Sequence, residues 1–338
     1  MDWTDRPTLV TGGAACIGSR LVEELVARRA RVRVVDNLSN GRLEYLEPWA
    51  SKGEIEFIKG DLLDQETARR SVQGMNVIFH LAADHGGRGY VDTHQAGPAT
   101  NMTLDGNVFL AARDAGAERI VYASSACVYP DYLQTSPDET VYLREDQVGP
   151  PYDADNMYGW AKLMAEKTLK AFADEWGMKT ASCRYFTVYG ERATESHAIV
   201  AMIARAFVKQ DPFEVWGNGE QVRNWTYVGD IVDGTILAAE KIDDGTAVNI
   251  GTMDRTRVID AVKEIMAATG HTAEIELHPE MPTGPMNRVA DNALARTLLG
   301  WEPKTSLSEG LRRTIDWYLS THDPDEVAGR LEEALLAR

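Results

Sequence analysis

A glycine-rich segment near the start of the chain constrains the fold more than any other feature. Residues 8–19 run from an apolar stretch through Gly12, Ala15 and Gly18 into an amphipathic pattern that predicts a helix to about residue 30. Glycine permits a tight turn in which backbone N–H groups approach a pyrophosphate at the helix N-terminus, where the helix dipole favours negative charge. Ala15 occupies a position where glycine is usual, and it still permits this approach if its φ is negative. The segment predicts the first strand, turn and helix of a dinucleotide-binding fold.

A second strand follows at the distance that such a site requires. Residues 31–36 end in Asp36, 18 positions after Gly18. A carboxylate at this strand end accepts hydrogen bonds from the ribose hydroxyls of NAD, and its charge disfavours the 2′-phosphate of NADP. The alternative is a plain turn followed by a solvated aspartate. Turn and second strand together predict a site for NAD.

The alternation of strands and helices continues along the chain. Runs at 54–60, 76–83 and 119–125 predict strands, and the one at 76–83 is nearly continuously apolar, as in a parallel sheet covered on both faces. Apolar stripes with helical spacing at 64–73 and 98–115 predict the intervening helices. The predicted fold class is therefore α/β, with a Rossmann doubly wound parallel sheet.

After residue 186, prolines and glycines interrupt the pattern of strands and helices at irregular intervals, which indicates a smaller mixed α/β substrate domain at the C-terminus. The expected NAD-binding Rossmann domain covers 1–185 and is rejoined by about 227–255, where a helix and a short strand return to the sheet. The substrate domain then consists of 186–226 and 256–338.

Polar and nucleophilic side chains follow two of the predicted strands. Ser124, Ser125 and Cys127 come at the end of the strand at 119–125, and open α/β sheets bind ligands outside the carboxyl ends of their strands. The alternative is a buried strand end with small residues for packing. The segment 84–90 contains three glycines and predicts a loop that passes close to a ligand.

A tyrosine and a lysine share one face of the helix predicted at about 156–176. Tyr158 and Lys162 are four residues apart, so the ammonium can lie beside the phenol. A neighbouring cation favours the phenolate and is expected to lower the pKa of Tyr158, as a general base near neutral pH requires. The spacing also occurs by chance in helices. Its place after a serine-bearing strand end in a dinucleotide fold favours a catalytic pair.

Composition limits the partners of this chain. The net charge of −17 and the pI near 4.9 argue against nucleic acid and against an anionic membrane surface. An anionic small ligand must then be bound by local cations, for which the candidates are Arg184, Arg192, Arg223 and Arg288. No apolar run approaches the roughly 18 residues of a membrane span, which predicts a cytoplasmic protein. The three cysteines lack disulfide or metal-ligand spacing, so no metal is expected.

These motifs, together with those at 61–62, 80–83 and 184–190, resemble the extended short-chain dehydrogenase/reductase family, and within it the NAD-dependent nucleotide-sugar epimerases. The resemblance implies a nucleoside-diphosphate sugar as substrate and a homodimer formed through helices corresponding to 98–115 and 157–176. The implied cofactor contacts are Gly12, Ala15, Cys16, Ile17, Gly18, Asp36, Asn37, Asp61, Leu62, Leu81, Ala82, Ala83, Tyr158 and Lys162. The implied substrate contacts are Gly87, Arg88, Ser125, Ala126, Thr187, Arg223 and Arg288.

The residues that follow Ser125 distinguish subfamilies. An Asp-Glu pair follows the serine or threonine in the 4,6-dehydratases, whereas this chain has Ala126 and Cys127, so dehydration is disfavoured. The run at 124–130, with the glycines after Ala83, resembles the GDP-mannose 3,5-epimerase family. That family uses a cysteine and a lysine as its second acid/base pair.

In the same alignment the lysine position of that family falls on His197. The chain departs from the family at Thr187, where asparagine is usual, and at Glu191, where proline is usual. Both departures are expected to lie beside the substrate.

The predicted function is epimerisation of a nucleotide sugar through a transient 4-keto sugar, of the GDP-mannose 3,5-epimerase type. The implied catalytic residues are Ser125, Cys127, Tyr158, Lys162 and His197. Tyr158 is the base for the sugar 4-hydroxyl, and Cys127 and His197 exchange protons at carbon 3 or carbon 5.

Two alternatives remain. A UDP-sugar 4-epimerase, of the UDP-glucose or UDP-glucuronate type, needs neither Cys127 nor His197; these would then be a small buried residue and an ordinary helix-start residue. An NAD-sensing regulatory protein without catalysis is the alternative outside the enzymes, although such proteins commonly lose the tyrosine or the lysine that this chain retains.

Overall fold

The computed structural model describes residues 1–137 and 141–336. The strands in these ranges are Pro7–Thr11 (β1), Arg31–Asp36 (β2), Ile55–Lys59 (β3), Val77–His80 (β4), Arg119–Ser125 (β5), Lys179–Tyr185 (β6), Val188–Tyr189 (β7), Phe213–Trp216 (β8), Val222–Arg223 (β9), Thr226–Tyr227 (β10), Asp244–Ile250 (β11), Thr256–Arg257 (β12), Ile275–His278 (β13) and Asn287–Arg288 (β14).

The α-helices in the same ranges are Cys16–Ala27 (α1), Glu47–Ala50 (α2), Gln65–Val72 (α3), Arg88–Thr93 (α4), Ala96–Ala99 (α5), Asn101–Asp114 (α6), Asn156–Trp176 (α7), Ala198–Phe207 (α8), Val228–Lys241 (α9), Val258–Thr269 (α10), Ala293–Leu299 (α11), Leu307–Thr321 (α12) and Pro324–Leu336 (α13). Short 3-10 helices lie at Leu43–Tyr45, Ala126–Val128, Asp131–Leu133 and Glu145–Gln147. None of the helices in the described ranges has the length and apolarity needed to span a membrane.

The central element of the described chain is a seven-stranded parallel sheet. Its strand order is β11-β6-β5-β4-β1-β2-β3, and every pairing within it is parallel. The order reverses between β1 and β4, the point at which such sheets open a crevice for ligands beyond the carboxyl ends of the strands. The predicted α/β class with a Rossmann sheet is confirmed.

Both faces of this sheet are buried, which explains why its central strands are apolar without alternation. Leu9, Ile78 and Ile120 align across β1, β4 and β5 and pack on one face. Their neighbours Val10, Phe79 and Val121 align in the same way and pack on the other face. Burying such a side chain fully contributes about 1.5–3 kcal/mol, so these two rows anchor the strands that carry the site.

The segment after β4 leaves the sheet earlier than the sequence predicts. The Thr11 hydroxyl accepts hydrogen bonds from the amides of Leu81 and Ala82, both at 3.0 Å, and so turns the chain out of the sheet after His80. The predicted loop at 84–90 is wrong in its second half, because α4 begins at Arg88. An ion pair between Arg88 and Asp92, one helical turn apart at 2.6 Å, supports this helix despite its internal glycine.

The C-terminal part builds three small sheets, β7 with β10, β12-β9-β14, and β8 with β13. Helices α8, α10, α12 and α13 share a second apolar cluster with these segments. Helix α9 packs against the main sheet, and β11 pairs with β6 at its edge. The division into a Rossmann domain and a substrate domain stays a prediction, and residues 138–140 and 337–338 of those ranges lie outside the described part.

Candidate active site

A cleft of about 360 Å³ opens beyond the carboxyl ends of β1, β4 and β5. The predicted site residues that line it are Gly12, Ala15, Cys16, Ile17, Gly18, Leu81, Ala83, Gly87, Arg88, Ser125, Ala126, Cys127, Tyr158, Lys162, Thr187, His197, Arg223 and Arg288. The structure therefore brings together residues from the first turn of the chain to β14.

Five predicted cofactor residues do not line this cleft. Asp36 and Asn37 lie at the end of β2, and Asp61 and Leu62 follow β3, one strand further from the cleft. The Asn37 side-chain amide donates to the Asp61 carboxylate at 3.2 Å, which ties these two strand ends together. Ala82 turns its amide towards Thr11.

The turn between β1 and α1 leaves no room for larger side chains. Gly12 has a φ of +66°, which glycine adopts without strain. A Cβ on Gly18 would lie 2.1 Å from the Gly12 carbonyl oxygen. Ala15 has a φ of −90°, the negative value that its place in the turn requires. No side chain caps the N-terminus of α1 and no acidic residue lies in its first turn, so its amides can receive an anion.

The Asp36 carboxylate lies beside this turn. It accepts hydrogen bonds from the amides of Ala14 at 2.9 Å and Leu38 at 2.8 Å. Burial raises the pKa of Asp36, although these two hydrogen bonds oppose the shift. A carboxylate has about four acceptor positions, so two remain for ribose hydroxyls. The residues present fit NAD.

The catalytic pair predicted on α7 is present, with one correction. Tyr158 and Ser125 share a side-chain hydrogen bond, and the Lys162 ammonium lies 5.6 Å from the centre of the Tyr158 ring. The prediction that Lys162 lowers the pKa of Tyr158 is wrong for this structure. Burial and the charge of Cys127 raise that pKa above its usual value, and only the Ser125 hydrogen bond opposes them.

The orientation of Lys162 accounts for this difference. Its Nζ donates to the Ala123 carbonyl oxygen at 2.7 Å, at the end of β5, rather than to the phenol. Burial lowers the pKa of Lys162, while the charges of Asp105, Cys127 and Glu166 oppose the shift. The sequence places the two groups on one face of α7, but burial, which sets the sign of both pKa shifts, depends on the surrounding fold.

Cys127 lies in the 3-10 helix after β5, where its amide donates to the Ser125 hydroxyl at 3.1 Å. Arg288 on β14 donates from Nη1 to the Cys127 sulfur at 3.3 Å and from Nη2 to Asp155 at 2.9 Å. Arg88 donates to the same Asp155 at 2.6 Å. Asp155 was not predicted, because an aspartate at the start of a helix is ordinarily an N-cap, and only the structure shows that this one makes no capping bond.

His197 precedes α8 at the wall of the cleft, and burial lowers its pKa. His85, which was not predicted, lies beside it with the ring centres 6.1 Å apart.

Thr187 lines the cleft with a φ of +31°, a conformation that β-branched residues rarely adopt and asparagine tolerates. Glu191 does not line the cleft, and its carboxylate accepts a hydrogen bond from the Tyr227 hydroxyl at 2.8 Å, so its place beside the substrate stays a prediction.

The described residues that line the cleft include five cationic side chains, Arg88, Lys162, Arg192, Arg223 and Arg288, and no aspartate or glutamate. Arg184, expected near phosphate in a loop, lies instead on β6, where it is buried against Glu166 at 2.8 Å. Arg223 donates to the backbone carbonyls of Val222 and Thr283, both at 2.8 Å. Burial and the charges of Arg288 and Arg88 lower the pKa of Arg223 to about 9, although the charge of Asp155 opposes the shift.

Comparisons with known proteins identify the family of this chain. Residues 8–251 match the NAD dependent epimerase/dehydratase family, which confirms NAD as the predicted cofactor. A GDP-mannose 3,5-epimerase of Oryza sativa subsp. japonica is 30% identical over 95% of this chain and 83% of its own length. A UDP-glucose 4-epimerase of Mycolicibacterium smegmatis is also 30% identical, over 92% of this chain and 98% of its own.

A solved structure shares the fold over nearly the whole chain. The UDP-glucose 4-epimerase of Thermotoga maritima, determined with UDP-glucose, superposes with a TM-score of 0.82 at 30% identity, and the match covers 93% of this chain and 99% of that one. Family model, relatives and fold agree, and the chain belongs to the NAD-dependent epimerase/dehydratase family.

Proposed function

We propose that this protein is an NAD-dependent nucleotide-sugar epimerase that works through a transient 4-keto sugar and inverts carbon 3, carbon 5 or both, as in the GDP-mannose 3,5-epimerase type. One observation carries this choice. The Cys127 thiol lies in the same cleft as Ser125, Tyr158 and Lys162, so a proton donor is present where a 4-epimerase needs none.

The residues at the end of β5 and on α7 support the redox part of the reaction. Tyr158, hydrogen-bonded to Ser125, takes the proton from the sugar 4-hydroxyl, and Ser125 holds the same sugar oxygen. Lys162, whose ammonium lies 5.6 Å from the centre of the Tyr158 ring, is the residue that would hold the nicotinamide ribose. Bound NAD supplies the hydride acceptor and donor.

Cys127 and His197 support the epimerisation. A ketone at carbon 4 acidifies the hydrogens on carbons 3 and 5, so one group can remove a proton from one face of the ring while another returns a proton from the opposite face. The lowered pKa of His197 keeps its imidazole neutral near pH 7, as a base requires.

The charge of the cleft supports a nucleoside-diphosphate sugar. The net charge of the protein is −17, so the cationic side chains that line the cleft favour an anionic ligand there. Arg223 is suited to a diphosphate because it lines the cleft and its described hydrogen bonds go to backbone carbonyls rather than to a carboxylate.

The second candidate is a UDP-sugar 4-epimerase. It is favoured by the relatives, since a UDP-glucose 4-epimerase and a GDP-mannose 3,5-epimerase are equally similar to this chain at 30% identity. In that reaction the 4-keto sugar rotates within the site and is reduced on its other face, so Ser125, Tyr158 and Lys162 suffice.

A homodimer is part of the proposal. Helices α6 and α7 expose large apolar side chains, Met102 and Leu110 on the first and Trp160 and Met164 on the second, each 37–48% exposed. Two copies of this face would bury these side chains as an isologous interface.

A deuterium experiment separates the two reactions. GDP-mannose, UDP-glucose and UDP-glucuronate are each incubated with the protein in deuterated water, and the products are followed by NMR. Inversion at carbon 3 or 5 passes through an enolate, so solvent deuterium must appear there, whereas a 4-epimerase moves its hydrogen only as hydride and incorporates none.

The matched variants are Cys127→Ala and Cys183→Ala. Both remove a thiol, but Cys183 is buried in the sheet and does not line the cleft. We expect deuterium incorporation to be lost with Cys127→Ala and kept with Cys183→Ala. An epimerised product without solvent deuterium would reject inversion at carbon 3 or 5 and favour the 4-epimerase.

A further inference from the structure

Glu195 belongs to the wall of the cleft but turns its side chain away from it. Residues 192–198, all of them in the described part of the chain, line the cleft with the exception of Glu195. Its carboxylate accepts a hydrogen bond from the Tyr318 hydroxyl and another from Arg330 Nη2, both at 2.7 Å. The residue is 5% exposed, so these two donors offset the cost of burying the carboxylate.

The two donors come from the two C-terminal helices. Tyr318 lies on α12 and is fully buried, and its ring stacks on that of His322 with the centres 4.0 Å apart. Arg330 lies on α13, which packs against α8 and α4. Since both helices are packed on the rest of the protein, they hold the Glu195 carboxylate in one place.

Glu195 is the second residue of a tight turn that ends at His197. The His197 amide donates to the Thr194 carbonyl oxygen at 3.1 Å, and the hydroxyls of Thr194 and Ser196 share a hydrogen bond at 2.9 Å. Helix α8 begins at the next residue. One backbone hydrogen bond contributes little net stability, so the position of His197 depends on what holds the central residues of the turn.

The turn also contacts the segment before α4 closely. A Cβ on Gly87 would lie 1.6 Å from the Ser196 carbonyl oxygen, so the two backbones touch. The rings of His197 and His85 lie 6.1 Å apart between their centres. A displaced turn would therefore change the position of His197 relative to this segment and to a ligand in the cleft.

We propose that Glu195 is a positioning residue: held by Tyr318 and Arg330, its carboxylate fixes the turn that sets His197 in the cleft. Because the carboxylate faces the C-terminal helices, Glu195 acts through His197 and not on the ligand. The role of His197 as a base rests on the proposed function, whereas the fixing of the turn does not. The alternative is that Glu195 serves only to attach α13.

Amide hydrogen exchange tests the proposal without any substrate. The purified holoprotein is transferred to deuterated water, and mass spectrometry follows peptides that cover 192–199 and 324–336. We expect Arg330→Gln and Tyr318→Phe each to speed exchange in the first peptide about tenfold, because each removes a hydrogen bond to a buried carboxylate. Arg330→Lys, which keeps the charge, should restore most of the protection.

Arg312→Gln is the matched control. It breaks another arginine–carboxylate pair on α12, with Asp316 at 3.1 Å, whose side chains are 66% and 67% exposed. Exposed pairs contribute little, so exchange in both peptides should stay unchanged. Thermal unfolding of each variant identifies a misfolded protein, and Tyr318→Phe, which removes one oxygen from a packed ring, carries the test if Arg330→Gln releases α13. Faster exchange confined to 324–336, or unchanged exchange in 192–199, would overturn the proposal.

Turnover of a nucleotide sugar separates a positioning role from a loss of folded protein. We expect Tyr318→Phe to lower deuterium incorporation at carbon 3 or 5 by about tenfold to a hundredfold, because a misplaced base reacts slowly. Transient NADH absorbance and KM should change little, since Tyr158 is not displaced. Equal losses of proton exchange and hydride transfer would count against Glu195 as a positioning residue. If exchange in 192–199 responds as expected but no nucleotide sugar is turned over, Glu195 still fixes the turn and the proposed function fails.

Discussion

Substitution of Gly18 by alanine tests whether the turn after β1 is built for backbone approach to a pyrophosphate. The added Cβ would lie 2.1 Å from the Gly12 carbonyl oxygen, 2.7 Å from the Gly13 Cα and 2.9 Å from the Gly12 carbonyl carbon. All three are backbone atoms, so no side chain can rotate away. Since Cβ contacts under 3.0 Å do not occur, the turn must open by 3.0 − 2.1, or about 0.9 Å.

Such a displacement affects both the folding free energy and the affinity for NAD. Overpacking of this kind costs about 1–3 kcal/mol of folding free energy, and the same shift moves the α1 amides away from the positions at which they bind a pyrophosphate. Loss of one hydrogen bond from a displaced amide to the charged pyrophosphate costs about 1.5–3 kcal/mol. At 1.4 kcal/mol per factor of ten, we therefore expect NAD affinity to fall by about tenfold to a hundredfold. Isothermal titration of the NAD-free protein measures the affinity, and the melting temperature reports the cost in stability.

Gly329→Ala is the matched control, because it adds the same methyl group within α13, where a Cβ would meet no atom within 4 Å. Alanine in a helix interior is better than glycine by about 0.5–1 kcal/mol, so this variant should melt slightly higher and bind NAD normally. Normal NAD affinity and melting temperature for Gly18→Ala would refute the reasoning, since the turn would then tolerate the displacement.

Other predictions follow from the same site. NAD, and not NADP, should be released when the purified protein is denatured, because Asp36 disfavours a 2′-phosphate; release of NADP would contradict this. Tyr158→Phe should lower turnover by about 10²–10⁴-fold with ligand affinity nearly unchanged, and near-normal turnover would rule out this base. Thr187→Asn should raise the free energy of unfolding by about 1 kcal/mol in urea, because asparagine accepts the φ of +31°; a loss of stability would show that the threonine is not strained. Because the folded-state pKa of Asp155 lies below its ordinary value of 3.8, its stabilisation is complete above about pH 5 and is lost as the pH falls towards that lowered pKa. Asp155→Asn should make the free energy of unfolding depend less on pH in this acid range. An unchanged pH dependence would show that other carboxylates cause it.

The parts of the molecule that follow from the sequence are those set by local pattern. The continuous apolar runs predict strands covered on both faces, and the rows through Leu9 and Val10 show this arrangement. The Gly12 to Gly18 turn and the bounds of α7 likewise follow from residues close together in the chain.

The contacts that the sequence does not reveal join distant residues. Arg88 and Arg288 meet at Asp155 from 67 and 133 positions away, and neither separation leaves a periodic signal. The sign of the Tyr158 pKa shift was missed for a related reason, because a helix face predicts the neighbour Lys162 but not the loss of water around the phenol. The alignment places Glu191 beside the substrate but does not reveal its hydrogen bond with the hydroxyl of Tyr227, 36 positions away.

The charge of the cleft differs in sign from the net charge of the chain, and this difference affects small and large anions differently. The chain carries a net charge of −17, whereas the described residues that line the cleft contribute five cations and no carboxylate. At an ionic strength of 0.1 M charges are screened beyond about 10 Å, so a polyanion too large for the cleft meets mainly the repulsive exterior. A small anion that enters the cleft comes within direct contact of the guanidiniums, where screening is weak. Repulsion at the surface and attraction inside thus favour small anions over polyanions, without any residue dedicated to rejecting the latter.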